Sequence, residues 1–318
     1  MSGPPLVTGA SGFAGSHLVA ELLAVEPLVA AWSSRGARAA VGDEARVRWS
    51  AVDLLDREAV ARALAELRPS AIYHCAGIAH VGESWSEPER ALRVNVMGTH
   101  HVLEGMRAAA LACPVLVTGS ALVYRPSTGP IAEDHPIGPS DPYGVSKLAQ
   151  EMLAFRADHA PVFIVRPFNH AGPRQSPAYV TSSFARQIAG IEAGLHAPVL
   201  SVGNLETRRD ITDVRDTVRA YRMLVQHGRP ARPYNVCSGQ AYRVRDMLDV
   251  LVGLSHQTID IELDPSRLRP SDRPVIAGDR SRLSAETGWT PEIPIERTLD
   301  DLLNYWRQEI ARTLTRRS

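Results

Sequence analysis

The sequence has few cysteines and no excess of charge of either sign. Its 318 residues include only three cysteines, Cys75, Cys113 and Cys237, which are widely spaced and form no CxxC pair. This pattern argues against a disulfide framework and against a zinc site. Lysine plus arginine (35) balance aspartate plus glutamate (35), so no net field would hold the chain to nucleic acid or an anionic membrane. We expect a protein of the reducing cytoplasm that binds no metal.

Long apolar segments and internal repeats are also lacking. No stretch of 18 apolar residues occurs, and the N-terminus enters a strand-like segment without a basic leader. We therefore expect neither a membrane span nor a secretory signal. The length suits one large domain or two smaller ones with a full hydrophobic core.

What the first half of the sequence does contain is an alternation of short apolar runs and helix-periodic segments. Such alternation is typical of βαβ units and a parallel sheet. It predicts an α/β fold with a Rossmann-like, doubly wound parallel sheet and a smaller α+β lobe. The predicted strands are residues 6–8, 28–32, 47–52, 71–75, 115–118 and 162–166.

The composition changes after residue 166, where a segment rich in Pro, Gly and Asn begins. A later run, "PYNVCSG" at 233–239, again has the character of a buried strand and is expected to return to the first sheet. The predicted division is a cofactor-binding domain and a substrate-binding lobe. The domain comprises 1–168 joined by about 212–238, and the lobe comprises 169–211 and 239–318.

A glycine-rich segment follows the first predicted strand. "VTGASGFAG" places Gly9, Gly12 and Gly15 at a G-x-x-G-x-x-G spacing at the start of a helix. In such a loop the first glycine permits the turn, the second lets backbone approach a pyrophosphate, and the third lets helix pack on strand. A structural tight turn is the simpler alternative, but the flanking strand and helix favour a dinucleotide site.

The segment after the second strand indicates which dinucleotide binds. "AAWSSRGAR" has no acid before Asp43, whereas an acid at its start would bond the ribose 2′-hydroxyl of NAD. Ser33, Ser34 and Arg35 therefore favour NADP(H), the alternative being a solvated basic loop.

Three further residues are candidate cofactor contacts. Asp53, with Leu54 beside it, ends the third predicted strand, where it could meet the adenine amino group or serve only as a turn residue. Ala76 lies in "HCAGIA", whose small residues leave room for a cofactor over the sheet.

A tyrosine and a lysine four residues apart stand at the start of a later helix. In "DPYGVSKLAQE", Tyr143 and Lys147 share one helix face. A neighbouring ammonium is expected to lower the tyrosine pKa from about 10, making the pair an acid/base device. Such pairs are common on helix surfaces. Here Ser120 favours chemistry, because it follows a predicted strand at the edge where open α/β sheets place their ligands.

Together these segments resemble the extended short-chain dehydrogenases/reductases that act on nucleotide sugars, over nearly the whole chain. The resemblance implies that Tyr143 is the general acid/base and that Lys147 also holds the nicotinamide ribose. It implies that Ser120 hydrogen-bonds the reacting sugar oxygen. It further implies a homodimer formed through a four-helix bundle, with helices at 88–111 and 142–158.

The second lobe resembles the branch of this class that handles GDP-mannose derivatives, in "RPFNHAGPRQSPAY", "VGNLETRRDITDV" and "LDPSRLRPSDRP". By this resemblance Arg209 and Arg269 bind the diphosphate and ribose, and Asn169 contacts the diphosphate. Arg186, where the branch often has Lys, and Ser84 in "HVGESW" are weaker substrate candidates. Arginines suit a diphosphate because they grip it bidentately, although any one of them could be a surface ion pair.

One position bears on the type of reaction. In the dehydratases of this branch a Glu stands two residues after the active-site hydroxyl, and here that position is Leu122. Because leucine can neither take nor give a proton, elimination loses its catalyst. We therefore expect NADPH-dependent reduction of the C4 ketone of GDP-4-keto-6-deoxy-D-mannose to GDP-D-rhamnose, or to its C4 epimer GDP-6-deoxy-D-talose. A GDP-mannose 4,6-dehydratase, a nucleotide-sugar 4-epimerase and a non-catalytic NADP-sensing regulator remain alternatives.

Overall fold

A computed structural model describes residues 2–34, 36–268 and 273–315 of the chain. Two predicted ligand-binding residues, Arg35 and Arg269, lie outside the described residues. The strands are β1 (Leu6–Thr8), β2 (Val29–Ser33), β3 (Val47–Ala51), β4 (Ile72–His74), β5 (Val115–Thr118), β6 (Val162–Pro167), β7 (Asn169–Ala171), β8 (Val199–Val202), β9 (Arg208–Asp213), β10 (Pro233–Val236), β11 (Ala241–Arg243), β12 (Asp260–Leu263) and β13 (Val275–Ile276). The α-helices are α1 (Phe13–Leu23), α2 (Arg57–Leu67), α3 (Val81–Ser86), α4 (Pro88–Leu92), α5 (Gly98–Ala108), α6 (Pro142–Ala154), α7 (Val180–Glu192), α8 (Val214–His227), α9 (Val244–Gly253), α10 (Ser281–Thr287) and α11 (Ile295–Thr315).

Seven parallel strands form the central sheet in the order β10, β6, β5, β4, β1, β2, β3. The order runs outward in both directions from β1 and β4, so the switch point of the topology lies between these two strands. The predicted α/β class and Rossmann-like sheet are confirmed. The six predicted strands agree with the structure to within one residue at each end, and β10 pairs with β6 in the same sheet.

Helices cover both faces of this sheet. This explains why most of its strands are continuous apolar runs in the sequence, without alternating polar residues. On one face Val7 belongs to an apolar cluster with Leu18 of α1 and Tyr221 of α8. On the other face Leu6 belongs to a cluster with Leu64 of α2. Since alternate residues of β1 enter opposite clusters, both faces of the sheet are packed against apolar side chains.

Two predicted helices differ from the structure in length. The segment predicted as one helix over 88–111 contains a π-helical turn, Arg93–Met97, between α4 and α5. The segment predicted over 142–158 is helical only to Ala154, because the following residues turn the chain into β6. The start of α6 is set by Pro142 at its first position and by Asp141, whose side chain accepts a hydrogen bond from the Gly144 N–H.

The second lobe contains two small sheets packed on helices. One sheet has the order β11, β9, β13, with β7 also paired to β9, and the other joins β12 to β8. Leu248 of α9, Phe184 of α7 and Leu302 of α11 belong to its apolar cluster. The boundaries assigned to the two lobes stay a prediction. Within the described part of the chain, no helix is long and apolar enough to cross a membrane.

Gly15 provides a test of how tightly α1 packs on the first loop. A Cβ at Gly15 would lie 2.2 Å from the Gly9 carbonyl oxygen, closer than any real contact. We expect Gly15→Ala to lower the free energy of unfolding by about 2 to 3 kcal/mol, since α1 must move to relieve the overlap. Gly253→Ala is the matched control, because nothing lies within 4 Å of that site. Urea titration measures both, and equal losses in the two variants would contradict the packing argument.

Candidate active site

The candidate site lies at the C-terminal edge of the sheet, beside its switch point. Gly9 follows β1, Ala76 follows β4, and Ser120 follows β5. The two loops nearest the switch point are in close contact, because a Cβ at Gly9 would meet the Ala76 backbone at 2.7 Å. Gly9 also has φ +66°, a conformation that favours glycine. This edge is where open α/β sheets bind ligands.

The first turn of α1 presents its backbone N–H groups beside the glycine loop, whereas the Gly12 N–H itself donates to the Gly9 carbonyl oxygen at 2.9 Å. Gly12 is the N-cap residue of α1; it makes no side-chain cap, and the first turn carries no acid. Gly12 itself is exposed. The first N–H groups of a helix have no partner within the helix and favour an anion. The loop therefore fits a pyrophosphate.

Hydroxyl groups lie at the end of β2, where a 2′-phosphate would be selected. Ser33 is buried and its Oγ has no hydrogen-bond partner in the described ranges, whereas Ser34 is exposed. An unpartnered hydroxyl here fits a phosphate oxygen. Asp53 is exposed and its Oδ1 accepts from the Leu55 N–H at 2.9 Å, so one carboxylate oxygen already holds a turn. Leu54 is buried.

The structure brings Ser120, Tyr143 and Lys147 together. The Ser120 hydroxyl lies close enough to the Tyr143 hydroxyl to lower its pKa, and the Lys147 Nζ lies 5.9 Å from the centre of the Tyr143 ring. All three side chains are buried, with exposed fractions of 6%, 8% and 4%. The Ser120 Oγ also accepts from the Leu122 N–H at 3.1 Å, which fixes its position at the end of β5.

Burial raises the pKa of Tyr143, which is opposite to the direction expected from the sequence. The Ser120 hydroxyl lowers this pKa, and the nearby Tyr179 and Asp141 raise it. The prediction that the Lys147 ammonium lowers the tyrosine pKa is wrong for this geometry, because loss of hydration dominates. Tyr143 is consequently a neutral phenol, a group that can donate a proton.

Lys147 is the only lysine in the chain, since every other basic residue in the Lys plus Arg total of 35 is arginine. Its Nζ donates to the Thr118 carbonyl oxygen at 2.9 Å and to the Gln150 Oε1 at 3.0 Å. Burial lowers its pKa to about 8, which the nearby Cys75 partly opposes. An ammonium has three donors, so one N–H is left for a ligand.

A buried polar network that the sequence did not predict supports these residues. The two ring nitrogens of His74 bond the hydroxyls of Thr8 at 2.8 Å and Thr99 at 2.9 Å. Asn95, in the π-helical turn, donates to the Ser146 Oγ at 2.9 Å. The signal in the sequence was the occurrence of His74 and Asn95 within otherwise apolar segments, but their partners are distant along the chain.

The predicted substrate residues occupy different environments. Asn169 is exposed at the start of β7, where it pairs with Ile211 of β9. Arg209 lies on β9, two residues before Ile211. The Arg209 Nη1 donates to the Arg273 carbonyl oxygen at 2.8 Å. The Arg186 guanidinium instead lies 5.7 Å from the centre of the Trp306 ring.

Ser84 and Leu122 offer no free reactive group. Ser84 is fully buried, and its Oγ donates to the Val81 carbonyl oxygen at 2.7 Å within its own helix. Leu122 lies in a 3-10 turn, Ala121–Val123, and is half-buried. Asp141, which raises the pKa of Tyr143, already caps α6. No cluster of metal-ligating side chains occurs among the residues that the structure describes.

A dinucleotide-type glycine loop at the switch point and a buried Ser–Tyr–Lys set define an oxidoreductase of the extended short-chain dehydrogenase/reductase class. Residues 6–302 match the family described as GDP-mannose 4,6 dehydratase, and the chain belongs to this family. The family resemblance derived from the sequence is thereby confirmed.

Individual relatives resemble the chain over most of its length. GDP-6-deoxy-D-mannose reductase of Pseudomonas aeruginosa is 35% identical over 316 residues, covering 96% of this chain and 97% of that protein. GDP-mannose 4,6-dehydratase of Vibrio cholerae is 27% identical over 293 residues, covering 79% of this chain and 76% of that protein. The solved structure of RMD from Pseudomonas aeruginosa complexed with NADPH has a TM-score of 0.85 and 34% identity, covering 96% of this chain and 99% of that one.

The lowered pKa of Lys147 predicts a pH-dependent stability. The pKa of Lys147 falls from 10.5 in the unfolded chain to about 8 in the folded protein. Between these two pH values the unfolded chain therefore binds one more proton than the folded protein, and the free energy of unfolding rises with pH. We expect the unfolding free energy of the wild type to gain about 2 kcal/mol over that of Lys147→Met from about pH 7 to about pH 9.5. Urea titrations of both proteins at each pH measure this difference. A difference that stays constant with pH would contradict the lowered pKa.

Proposed function

We propose that the protein reduces the C4 ketone of GDP-4-keto-6-deoxy-D-mannose with NADPH. The product is GDP-D-rhamnose or its C4 epimer GDP-6-deoxy-D-talose. The observation that carries the proposal is a buried, neutral Tyr143 beside Ser120, with Leu122 at the position of the dehydratase acid. The likeness to the reductase of Pseudomonas aeruginosa, over nearly the full length of both chains, supports it.

The residues at the sheet edge fit NADP(H). The N–H groups of the first turn of α1, which follow Gly12, receive the pyrophosphate, and the hydroxyls of Ser33 and Ser34 receive the 2′-phosphate. The remaining N–H of Lys147 bonds the nicotinamide ribose. NADPH binding by the similar RMD structure supports this assignment. A role for Arg35 at the 2′-phosphate stays a prediction.

Proton transfer is the part of the reaction that the chain itself performs. The cofactor supplies the hydride to C4. Ser120 donates a hydrogen bond to the C4 oxygen, which polarises the ketone, and Tyr143 transfers its phenolic proton to that oxygen as negative charge develops. The adjacent Lys147 ammonium stabilises the tyrosinate that remains. The positive charge of Lys147 therefore takes effect only once the proton has left Tyr143. Solvent then returns a proton to Tyr143.

Substrate binding falls to the second lobe. We assign Asn169 and Arg209 to the diphosphate, because they lie close together on paired strands. Arg186 and Ser84 are weaker candidates, since one packs on Trp306 and the other bonds within its own helix. Arg269 keeps its predicted role, outside the described residues. Cytoplasmic location is part of the same proposal, since three separated thiols suit a reducing compartment.

An absorbance assay of NADPH oxidation tests the function. We expect oxidation with GDP-4-keto-6-deoxy-D-mannose and no turnover of GDP-mannose alone. Tyr143→Phe should lower kcat by about 10²- to 10⁴-fold, because it removes the proton donor, while NADPH binding measured by fluorescence is retained. Tyr305→Phe, on the distant helix α11, is the matched control and should keep its activity.

Two other outcomes of this assay would contradict the proposal. Conversion of GDP-mannose to a 4-keto product would identify a dehydratase and refute the reductase. Activity retained in Tyr143→Phe would refute the assigned proton donor. NMR of the product reports the configuration at C4.

We further propose that the chain forms a homodimer through the face of α3, α4 and α6. Large apolar side chains are exposed on this face and on the turns that follow α4 and α6, namely Trp85, Leu92, Met97, Val145, Met152 and Phe155. Three of them, Trp85, Leu92 and Val145, border a groove of about 340 Å³. Contiguous apolar surface of this kind marks an interaction site.

A charge placed on this face tests the dimer. Met152 is 60% exposed, so Met152→Glu is tolerated by a monomer but would bury a carboxylate in the proposed interface. We expect the wild type to scatter light as a dimer and Met152→Glu to shift to the monomer mass. Leu263→Glu is the control, because Leu263 is 62% exposed on β12 of the second lobe. A monomeric wild type at working concentration would refute the proposal.

A further inference from the structure

We propose that Gln150 is a positioning residue for Lys147, which directs the third ammonium N–H toward the cofactor ribose. This inference rests on the proposed function, because that function assigns the ribose to Lys147. Gln150 itself is fully buried, so it is not exposed to cofactor or substrate. It acts through Lys147.

Two oxygen atoms from different elements hold the ammonium. The Gln150 Oε1, one helical turn along α6, accepts from the Lys147 Nζ at 3.0 Å. The Thr118 carbonyl oxygen, at the end of β5, accepts at 2.9 Å. Since an ammonium has three tetrahedral N–H donors, fixing two of them determines the direction of the third. Without Gln150 only the hydrogen bond to the Thr118 carbonyl oxygen would hold the ammonium, and its other two N–H groups could rotate.

The orientation of the Gln150 amide is set by Lys147. Gln150 is fully buried, and its Nε2 has no partner within the described part of the chain. Leaving a buried donor unpaired costs free energy, and an apolar side chain at this position would avoid that cost. An ammonium donates only, so the amide must turn its oxygen to Nζ. The hydrogen bond from Lys147 to the Gln150 Oε1 therefore leaves the Gln150 Nε2 without a partner among the described residues.

The other groups that face Lys147 do not replace this oxygen. Tyr143, on the same helix, presents its ring, and His74 and Cys75 at the end of β4 are neutral near pH 7. Burial lowers the pKa of His74 to about 3 and raises that of Cys75 to about 12. Glu151, the next residue after Gln150, instead forms a buried ion pair with Arg166. The ammonium thus depends on two neutral oxygen atoms.

The single lysine makes a direct measurement possible. Selective ¹³C labelling of lysine in the full-length protein gives side-chain signals from Lys147 alone, and their pH titration reports its pKa without any assay of activity. We expect Gln150→Met to move the titration midpoint down by about one pH unit, because the acceptor is lost. Gln150→Glu should move it up by a similar amount, because a carboxylate favours the charged form.

Kinetics provides the second readout. Gln150→Met should raise KM for NADPH about tenfold and shift the alkaline limb of the pH profile downward, since a misdirected or deprotonated Lys147 holds the ribose poorly. Gln150→Glu, which keeps an acceptor, should restore KM toward the wild-type value. A merely structural loss would lower stability without moving the pH profile. If Gln150→Met does not fold, the shorter Gln150→Asn replaces it, with the same expected shift.

The outcomes separate the two proposals. Titration midpoints that match the wild type in both Gln150→Met and Gln150→Glu would overturn the positioning role. Gln187→Met is the control, because Gln187 hydrogen-bonds Ser201 in the second lobe, and its titration should match the wild type. A wild type that leaves NADPH and the 4-keto sugar unchanged would refute the reductase, whereas the NMR titration would still decide the role of Gln150.

Discussion

The active site depends on one buried ammonium with which no carboxylate among the described residues is in contact. Lys147 is 4% exposed, and its two hydrogen-bond partners are neutral oxygen atoms. Burying a charge without a counterion is costly, so the position is unfavourable unless it serves binding or catalysis. The surrounding groups keep the positive charge uncompensated, since His74 and Cys75 are neutral. The cofactor ribose, which we assign to the remaining N–H of Lys147, would supply a third oxygen acceptor, and this links the buried lysine to cofactor binding.

The fold provides a rigid support for that charge. Both faces of the parallel sheet are covered, so the ends of β1, β4 and β5 cannot shift independently. Thr118 brings a carbonyl oxygen to Lys147 from β5, and Asp141 fixes the start of the helix that carries it. Asn95 in the π-helical turn joins this helix through Ser146. The reactive side chains therefore stand on elements whose positions are determined by the core.

The sequence predicted the sheet well because strand patterns are local. The glycine loop and the Tyr143 pair were also visible locally, since each lies within a few residues. The pKa of Tyr143 was not predictable, because burial of the phenol depends on packing between α6 and distant segments. Ser84 looked like a substrate contact, yet its hydroxyl bonds within a helix that only the structure places. A role for Gln150 is not predictable from the sequence, because it depends on the direction in which the Lys147 side chain points in the folded protein.

The same support can serve either elimination or reduction, and the difference lies in proton chemistry. The cofactor carries the hydride in both cases, so the protein selects the reaction by where it places acids and bases. Elimination needs a group beside the sugar that removes one proton and delivers another. Leu122 cannot do this, and Asp141 is committed to its helix cap. What remains is a neutral phenol with one proton to give, which matches the single proton that a ketone takes up with a hydride.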